Sequence, residues 1–353
     1  MNKAKRSSWT KVALVAGIAA VVLVAAAPAM ALTITGAGAT FPYPLYAKWA
    51  HDYKAVTGVQ INYQPVGSGG GIAAIEAGNV NFGATDAPLT RSDLDSHKLV
   101  QFPTVFGGVV PVVHISGIGA GRMKLTGTVL TQIYLGQITK WNDSRIKALN
   151  PGVSLPSTKI TTVHRSDSSG TTWIFTHYLH AVDSAWTWAD KSGHWPGSST
   201  VGGKGNEGVS AYVQKISGAI GYVEYAYAVQ NHLAYTQLKN KAGKYVLPKM
   251  SGFQAAASHA SFSWSNGFYT VVVNEPGSTS WPITGCTFIL VKRSQGSYAT
   301  GNGMLKFFNW GYTSSTGIND AKNLNYVPMT SKAISAIKSV WHANVKAGSK
   351  ACW

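Results

Sequence analysis

Acidic side chains are scarce in this chain. Asp and Glu number 13 against 30 Lys and Arg among 353 residues, a formal charge of +17. So few carboxylates leave the folded charge little changed in acid. Cysteine is scarcer, with Cys286 and Cys352 alone, so one disulfide is the most the chain can form. Two readings of that pair stay open: a bridge tying the C-terminus to a strand, or one buried and one terminal thiol. The basic residues form no block, and only Lys239, Lys241 and Lys244 gather loosely in a turn, which argues against nucleic acid. There is no Gly-x-Ser-x-Gly elbow and no glycine loop ending in Gly-Lys-Ser/Thr, which argues against a covalent hydrolase and a P-loop nucleotide site. Beyond residue 31 no apolar stretch is long enough to span a bilayer.

Apolar residues, by contrast, make up 45% of the chain, ample for packed cores. A chain of 353 residues exceeds the size at which one core stops growing, so two lobes are expected. Residues 1–31 read as an export signal. Lys3, Lys5, Arg6 and Lys11 lead an apolar run of sixteen residues, Val12 to Ala27, and Pro28 precedes a small-x-small site, Ala29-Met30-Ala31. Cleavage is expected after about Ala31, and no cysteine lies there to carry a lipid. Removing this leader takes away four cations and no acid, which lowers the formal charge from +17 to +13.

The most informative stretch is His164-Arg165-Ser166-Asp167-Ser168-Ser169-Gly170-Thr171-Thr172. A strand starting at Ile160 leads into it and a helix beginning near Trp173 leads out. The first amides of that helix lack intrahelical partners, and together with the helix dipole and the Arg165 guanidinium they suit a small tetrahedral anion. Three earlier turns repeat the pattern of strand, small polar residues, helix. The first, Gly36-Ala37-Gly38-Ala39-Thr40-Phe41-Pro42, fails as a dinucleotide fingerprint because Phe41 replaces the third glycine. Leu45, Tyr46, Trp49, Tyr53 and Val56 then keep helical spacing, which leaves Thr40 as either a helix cap or a ligand. The second is Gly67-Ser68-Gly69-Gly70-Gly71 before a helix from Ile72, either a flexible turn or a close approach to a ligand. The third, Phe82-Gly83-Ala84-Thr85-Asp86-Ala87-Pro88, delivers Asp86 at a strand end, as a cap for the helix after Thr90 or as a proton acceptor. A doubly wound sheet gathers such turns at one edge, and an anion site is the reading they share.

Two long apolar runs, Phe102–Val113 and Trp281–Val291, read as strands passing between lobes, with Gly107-Gly108 as a flex point. Ser192 to Gly208 reads as loop. Gly203-Lys204-Gly205-Asn206-Glu207-Gly208 matches Gly-x-Gly-x-x-Gly only formally, since no strand is recognised before it. Val209–Ile216 reads as a helix, Ala219–Tyr227 as a strand and turn, and Met304–Trp310 and Ile334–Val345 as two terminal helices. His177, His180 and Asp183 sit three apart on a helix, as a metal face or a solvated one, and the solvated reading is preferred because further ligands are lacking. His164, by strand parity, faces away from Arg165.

These motifs, in this order, resemble the phosphate-binding proteins of bacterial phosphate ABC importers, the PstS family. The marks run from Thr35-Gly-Ala-Gly-Ala-Thr-Phe-Pro42 through Gly67-Ser68, Phe82-Gly-Ala-Thr-Asp-Ala-Pro88, Ile133-Tyr-Leu-Gly136 and Ser169-Gly-Thr171. They continue with Gly202-Gly-Lys-Gly-Asn206, Gly218-Ala-Ile-Gly-Tyr-Val-Glu-Tyr-Ala226 and Trp281-Pro-Ile-Thr284. The resemblance implies an α/β periplasmic-binding-protein fold of class II, two α/β lobes joined by two crossover strands with the ligand between them. Lobe I would hold residues 32–107 and 283–353, and lobe II residues 108–282. It implies phosphate contacts from Thr40, the Phe41 amide, Ser68, Asp86, Arg165, Ser169, Gly170 and Thr171, with Gly67 and Asp167 supporting them. It implies no catalytic residue, metal or cofactor, a soluble monomer in the periplasm, and as partners the permease subunits of an importer with its cytoplasmic ATPase. His164, Ser168 and the cysteine pair depart from the family pattern. The rival classes are a binder of another tetrahedral oxyanion and a phosphatase using the same cradle.

Overall fold

The computed structural model describes residues 32–191 and 195–353; the leader and its cleavage site lie outside the described residues. The two long apolar runs set the frame. Leu99–Val113 is a single strand of 15 residues, buried throughout, and Thr284–Lys292 pairs with it antiparallel from Lys292↔Leu99 to Thr284↔Gly108. Beyond Gly108 the long strand changes partner and pairs with Ala219–Glu224 from Val109 to Val113. The strand order is Gln60–Pro65, Thr33–Gly38, Phe82–Thr85, Thr284–Lys292, Leu99–Val113, Ala219–Glu224, Thr161–Arg165 and Thr200–Gly203. The outer three on each side are parallel to one another. Of these six, Phe82–Thr85 and Ala219–Glu224 are buried throughout, while the edge strands Gln60–Pro65 and Thr200–Gly203 each bury one residue. The carboxyl ends of the six are where an open α/β sheet places a ligand.

Aromatic packing fixes the helices on this frame. The helix Tyr43–Thr57 starts on Pro42, stops at left-handed Gly58 and buries Leu45, Tyr46, Trp49 and Tyr53. Val56, expected on the same face, is 67% exposed. Trp49 donates its indole N–H to the Gly317 carbonyl at 2.9 Å, tying this helix to the helix Ser315–Asn323. The apolar spacing hides that helix, since it buries only Gly317, Asp320 and Ala321. Three helices therefore close the described chain: Tyr298–Thr313, Ser315–Asn323 and Ser331–Asn344.

Three other expectations change, while the glycine pair gains a packing role. Gly107 and Gly108 lie where the long strand changes partner, paired with Gly285 and Thr284 at the end of the ladder. Glycine is needed there because a Cβ on Gly107 would meet the Phe41 ring at 2.8 Å, and one on Gly108 would meet the Phe253 ring at 2.8 Å or closer. Within the segment read as loop, Thr200–Gly203 is a strand, and the next helix starts at Gly205 rather than Val209. Four residues are too few for a period to be legible. The helix after the glycine run begins at Ser68 itself. Ala219–Tyr227 divides into a strand to Glu224 and the helix Tyr225–Gln230, whose Ala226 N–H is accepted by the Glu224 carboxyl at 2.8 Å.

Both cysteines are free and buried. Cys286 sits within the ladder opposite Phe106, and burial with the nearby Asp86 charge pushes its thiol well above the usual range. Cys352 packs against Gly301 near the C-terminus. Denatured protein without reductant should therefore titrate two thiols per chain, while native Cys286 stays unreactive. Finding none in the denatured protein would establish the bridge instead.

Candidate functional site

All six parallel strands end in one cluster of buried polar residues. From the first three come Thr40, Ser68 and Asp86; from the others come Arg165 with its following loop, Asn206 and Glu224. The clustering is direct. Ser68 Oγ accepts the N–H of Asp86 at 3.2 Å and that of Gly170 at 2.9 Å. Gly69 N–H donates to the Ser168 carbonyl at 3.0 Å. Asn206 Nδ2 donates to Thr40 Oγ1 at 2.7 Å and to Thr171 Oγ1 at 3.3 Å.

Local backbone chemistry explains the residue choices. Gly67 caps the helix that begins at Ser68 with φ of 90°, a left-handed value that disfavours a side chain. Gly170 opens the helix Gly170–Val182 against the first group of turns, and a Cβ there would lie 2.5 Å from Ser68 Oγ and 2.6 Å from Asp86 Cβ. Gly170→Ala is therefore expected to lower the melting temperature, by about 1–3 kcal/mol of overpacking. A wild-type melt in that variant contradicts the close approach. Ser169 is the cap of this helix, accepting the Thr172 N–H at 3.1 Å.

Arg165 is 2% exposed and held on three sides. Nε and Nη2 donate to the two Asp167 oxygens at 2.7 and 2.5 Å, and Nη1 to Thr171 Oγ1 at 3.3 Å. Two of its five N–H groups remain for a ligand. Burial alone pushes Asp167 up, but Arg165 and the Gly205 N–H outweigh it and hold the carboxyl below its ordinary value. Asp86 behaves oppositely. It is 1% exposed, and its Oδ1 has no partner. Burial raises its carboxyl to about 7, against the lowering pull of Thr287, Arg165 and Ser68.

Carbonyls are turned away from the cluster. Thr40 O accepts from Tyr227 and Phe41 O from Tyr326, each at 2.7 Å. The peptide is trans, so the Phe41 N–H points opposite to the Thr40 carbonyl. Tyr326 also contacts Glu224 Oε2 at 2.9 Å, and burial holds Glu224 well above the carboxylate range.

Thr40, Phe41, Gly67, Ser68, Asp86, Arg165, Asp167, Ser169, Gly170 and Thr171 all fall in or beside this cluster, and two of the open alternatives are now closed. Thr40 is not a helix cap, since Pro42 takes that place. Asp86 is not a cap either, because Thr90 and Asp93 form a capping box. His164 stacks on Trp195, 5.0 Å between centroids, away from the cluster. His177 and His180 bond the carbonyls of Trp173 and Trp186 through Nδ1, and among the described residues no group of His, Cys, Asp or Glu is arranged for a metal. Asn206, Glu224, Tyr227 and Tyr326 are the residues sequence reasoning missed. Asn206 carried a signal. The formal glycine motif around it does follow a strand and open a helix, but the strand is too short to recognise.

Comparison with known proteins agrees with this architecture. A family model described as "PBP superfamily domain" matches residues 24–335. Phosphate-binding protein PstS of Xylella fastidiosa is 48% identical over 316 residues, 89% of this chain and 86% of the relative. The chain belongs to the PstS family. The PstS of Haemophilus influenzae is also 48% identical, covering 90% of this chain and 95% of its own length. That of Methanocaldococcus jannaschii is 38% identical over 74% and 72%. Among solved structures, a periplasmic phosphate-binding protein bound with phosphate superposes with a TM-score of 0.72 at 21% identity, over 90% of this chain and 96% of that one. A phosphate-binding protein from Stenotrophomonas maltophilia gives 0.69 at 19% identity, over 88% and 94%. These likenesses establish a periplasmic-binding-protein fold, as expected of PstS.

Proposed function

We propose that the chain captures inorganic phosphate outside the cytoplasm and delivers it to the transmembrane permease of an ABC importer driven by a cytoplasmic ATPase. One observation carries the reading: buried donors surround the Asp86 carboxylate, whose Oδ1 has no hydrogen-bond partner among the described residues. Phosphate near neutrality keeps a proton that Asp86 accepts, while its other oxygens take hydrogen bonds from Arg165, the hydroxyls of Thr40, Ser68, Ser169 and Thr171, and the Phe41 and Gly170 amides. Sulfate brings no proton and meets the carboxylate with acceptors only. A site built on one polar pairing rejects the analogue lacking it by about 10⁴ or more. The names of the 48% identical relatives support the same ligand.

In this reading residues 32–107 and 283–353 form lobe I and residues 108–282 form lobe II. The strands Leu99–Val113 and Thr284–Lys292 join them, and the lobes close on the anion about these crossings. The leader is removed after about Ala31, and the chain then works as a periplasmic monomer without cofactor or catalysis. The test is phosphate uptake by vesicles carrying the cognate permease and ATPase. Added protein should accelerate uptake at low phosphate and release no phosphate from an ester. Uptake indifferent to the protein, or ester turnover, overturns the reading.

A further inference from the structure

Asn206 is fully buried, and each polar group of its side chain has a partner. Its Oδ1 accepts the Glu224 N–H at 2.9 Å, which fixes which end of the amide is oxygen. Its two Nδ2 protons are thereby aimed at Thr40 Oγ1, at 2.7 Å, and Thr171 Oγ1, at 3.3 Å. A hydroxyl accepts two hydrogen bonds and donates one. Thr40 Oγ1 receives its second from the Asn206 backbone N–H at 3.2 Å, and Thr171 Oγ1 receives its second from Arg165 Nη1 at 3.3 Å. Both hydroxyls are therefore full as acceptors, and each has only its proton left to offer.

We propose that Asn206 is a positioning residue that sets the polarity of the site, turning the Thr40 and Thr171 hydroxyls into obligate donors toward the bound anion. The inference rests on the phosphate reading and deepens it. A freely rotating hydroxyl suits a protonated or an unprotonated ligand oxygen alike, whereas these two suit only unprotonated ones. That leaves Asp86 as the one place where the ligand's proton is accepted. Asn206 spans Thr40 on one side of the site and Thr171 on the other, so the polarity is complete only when the two sides meet.

The test is a double-mutant cycle read by phosphate calorimetry. Wild-type protein is titrated first, and failure to bind there would sink the phosphate reading rather than this one. Asn206→Leu keeps the heavy-atom count and branching and removes the side-chain hydrogen bonds, and it should bind phosphate about tenfold to a hundredfold more weakly, the range for bonds involving a charged group. In a Thr40→Val, Thr171→Val background the same substitution should cost less than about twofold, since nothing remains to orient. An equal cost in both backgrounds would show that Asn206 merely supports the Glu224 strand, and would overturn the proposal. Should the Leu variant not fold, wild-type protein answers alone. In the phosphate complex the Thr40 and Thr171 hydroxyl protons should correlate with phosphorus across the hydrogen bond in NMR. Seeing the Phe41 and Gly170 amides correlate without those hydroxyls contradicts it.

Discussion

Replacing Arg165 by alanine is expected to weaken phosphate binding by at least about a hundredfold while the fold persists. The guanidinium is buried, doubly paired with Asp167 and bonded to Thr171, so its two free N–H groups are held in place before any ligand arrives. Truncating one partner of a buried, hydrogen-bonded charge pair costs roughly 2–5 kcal/mol. The loss here is doubled in kind: the anion loses its only guanidinium contact, and Asp167 becomes an uncompensated negative charge beside it. Arg165→Lys should recover little, because an ammonium cannot serve Asp167 through two parallel bonds and still face the anion. Calorimetric titration with phosphate, alongside circular dichroism, checks both variants, and near-wild-type affinity in the alanine variant rules out the clamp.

Replacing Asp86 by asparagine should change two things in opposite directions. Burial raises this carboxyl to about 7, so the ligand-free folded chain holds the proton more tightly than the unfolded chain does. The stability this gives is complete below the unfolded value, about 4, and is lost as pH rises through about 7. The Asn variant has no such proton to lose. It should therefore melt higher than wild type at pH 8, by up to roughly 4 kcal/mol at 1.36 kcal/mol per unit, and like wild type near pH 4. Its phosphate selectivity should fall at the same time, because an amide can donate to a sulfate oxygen that a carboxylate repels. The gap between phosphate and sulfate should narrow by about a hundredfold or more. A variant with unchanged discrimination removes Asp86 as the proton acceptor, whatever its melting point.

Much of this candidate site was legible because its buried polar residues sit on short motifs at the ends of strands. Phe82–Thr85 announces Asp86, and the Thr161–Arg165 strand announces the Arg165 loop. What stayed hidden is what holds those residues. Asn206 follows a strand of four residues, only one of them fully buried, too short for any period to show. Tyr326 lies 285 positions from the Phe41 carbonyl it serves, a contact only the folded sheet creates. The glycine pair at Gly107-Gly108 shows a related limit: local composition signals flexibility, but not that the missing side chains admit the rings of Phe41 and Phe253. Spacing reveals which residues end strands; it does not reveal which partners other strand ends bring to them.

The central claim is that one buried carboxylate among fixed donors selects a protonated oxyanion. Titrating the wild-type protein at pH 8 with phosphate, and a second sample with sulfate, tests it most directly. The account predicts one phosphate bound per chain and sulfate weaker by about 10⁴. Sulfate binding as tightly as phosphate, or phosphate not binding at all, would contradict it.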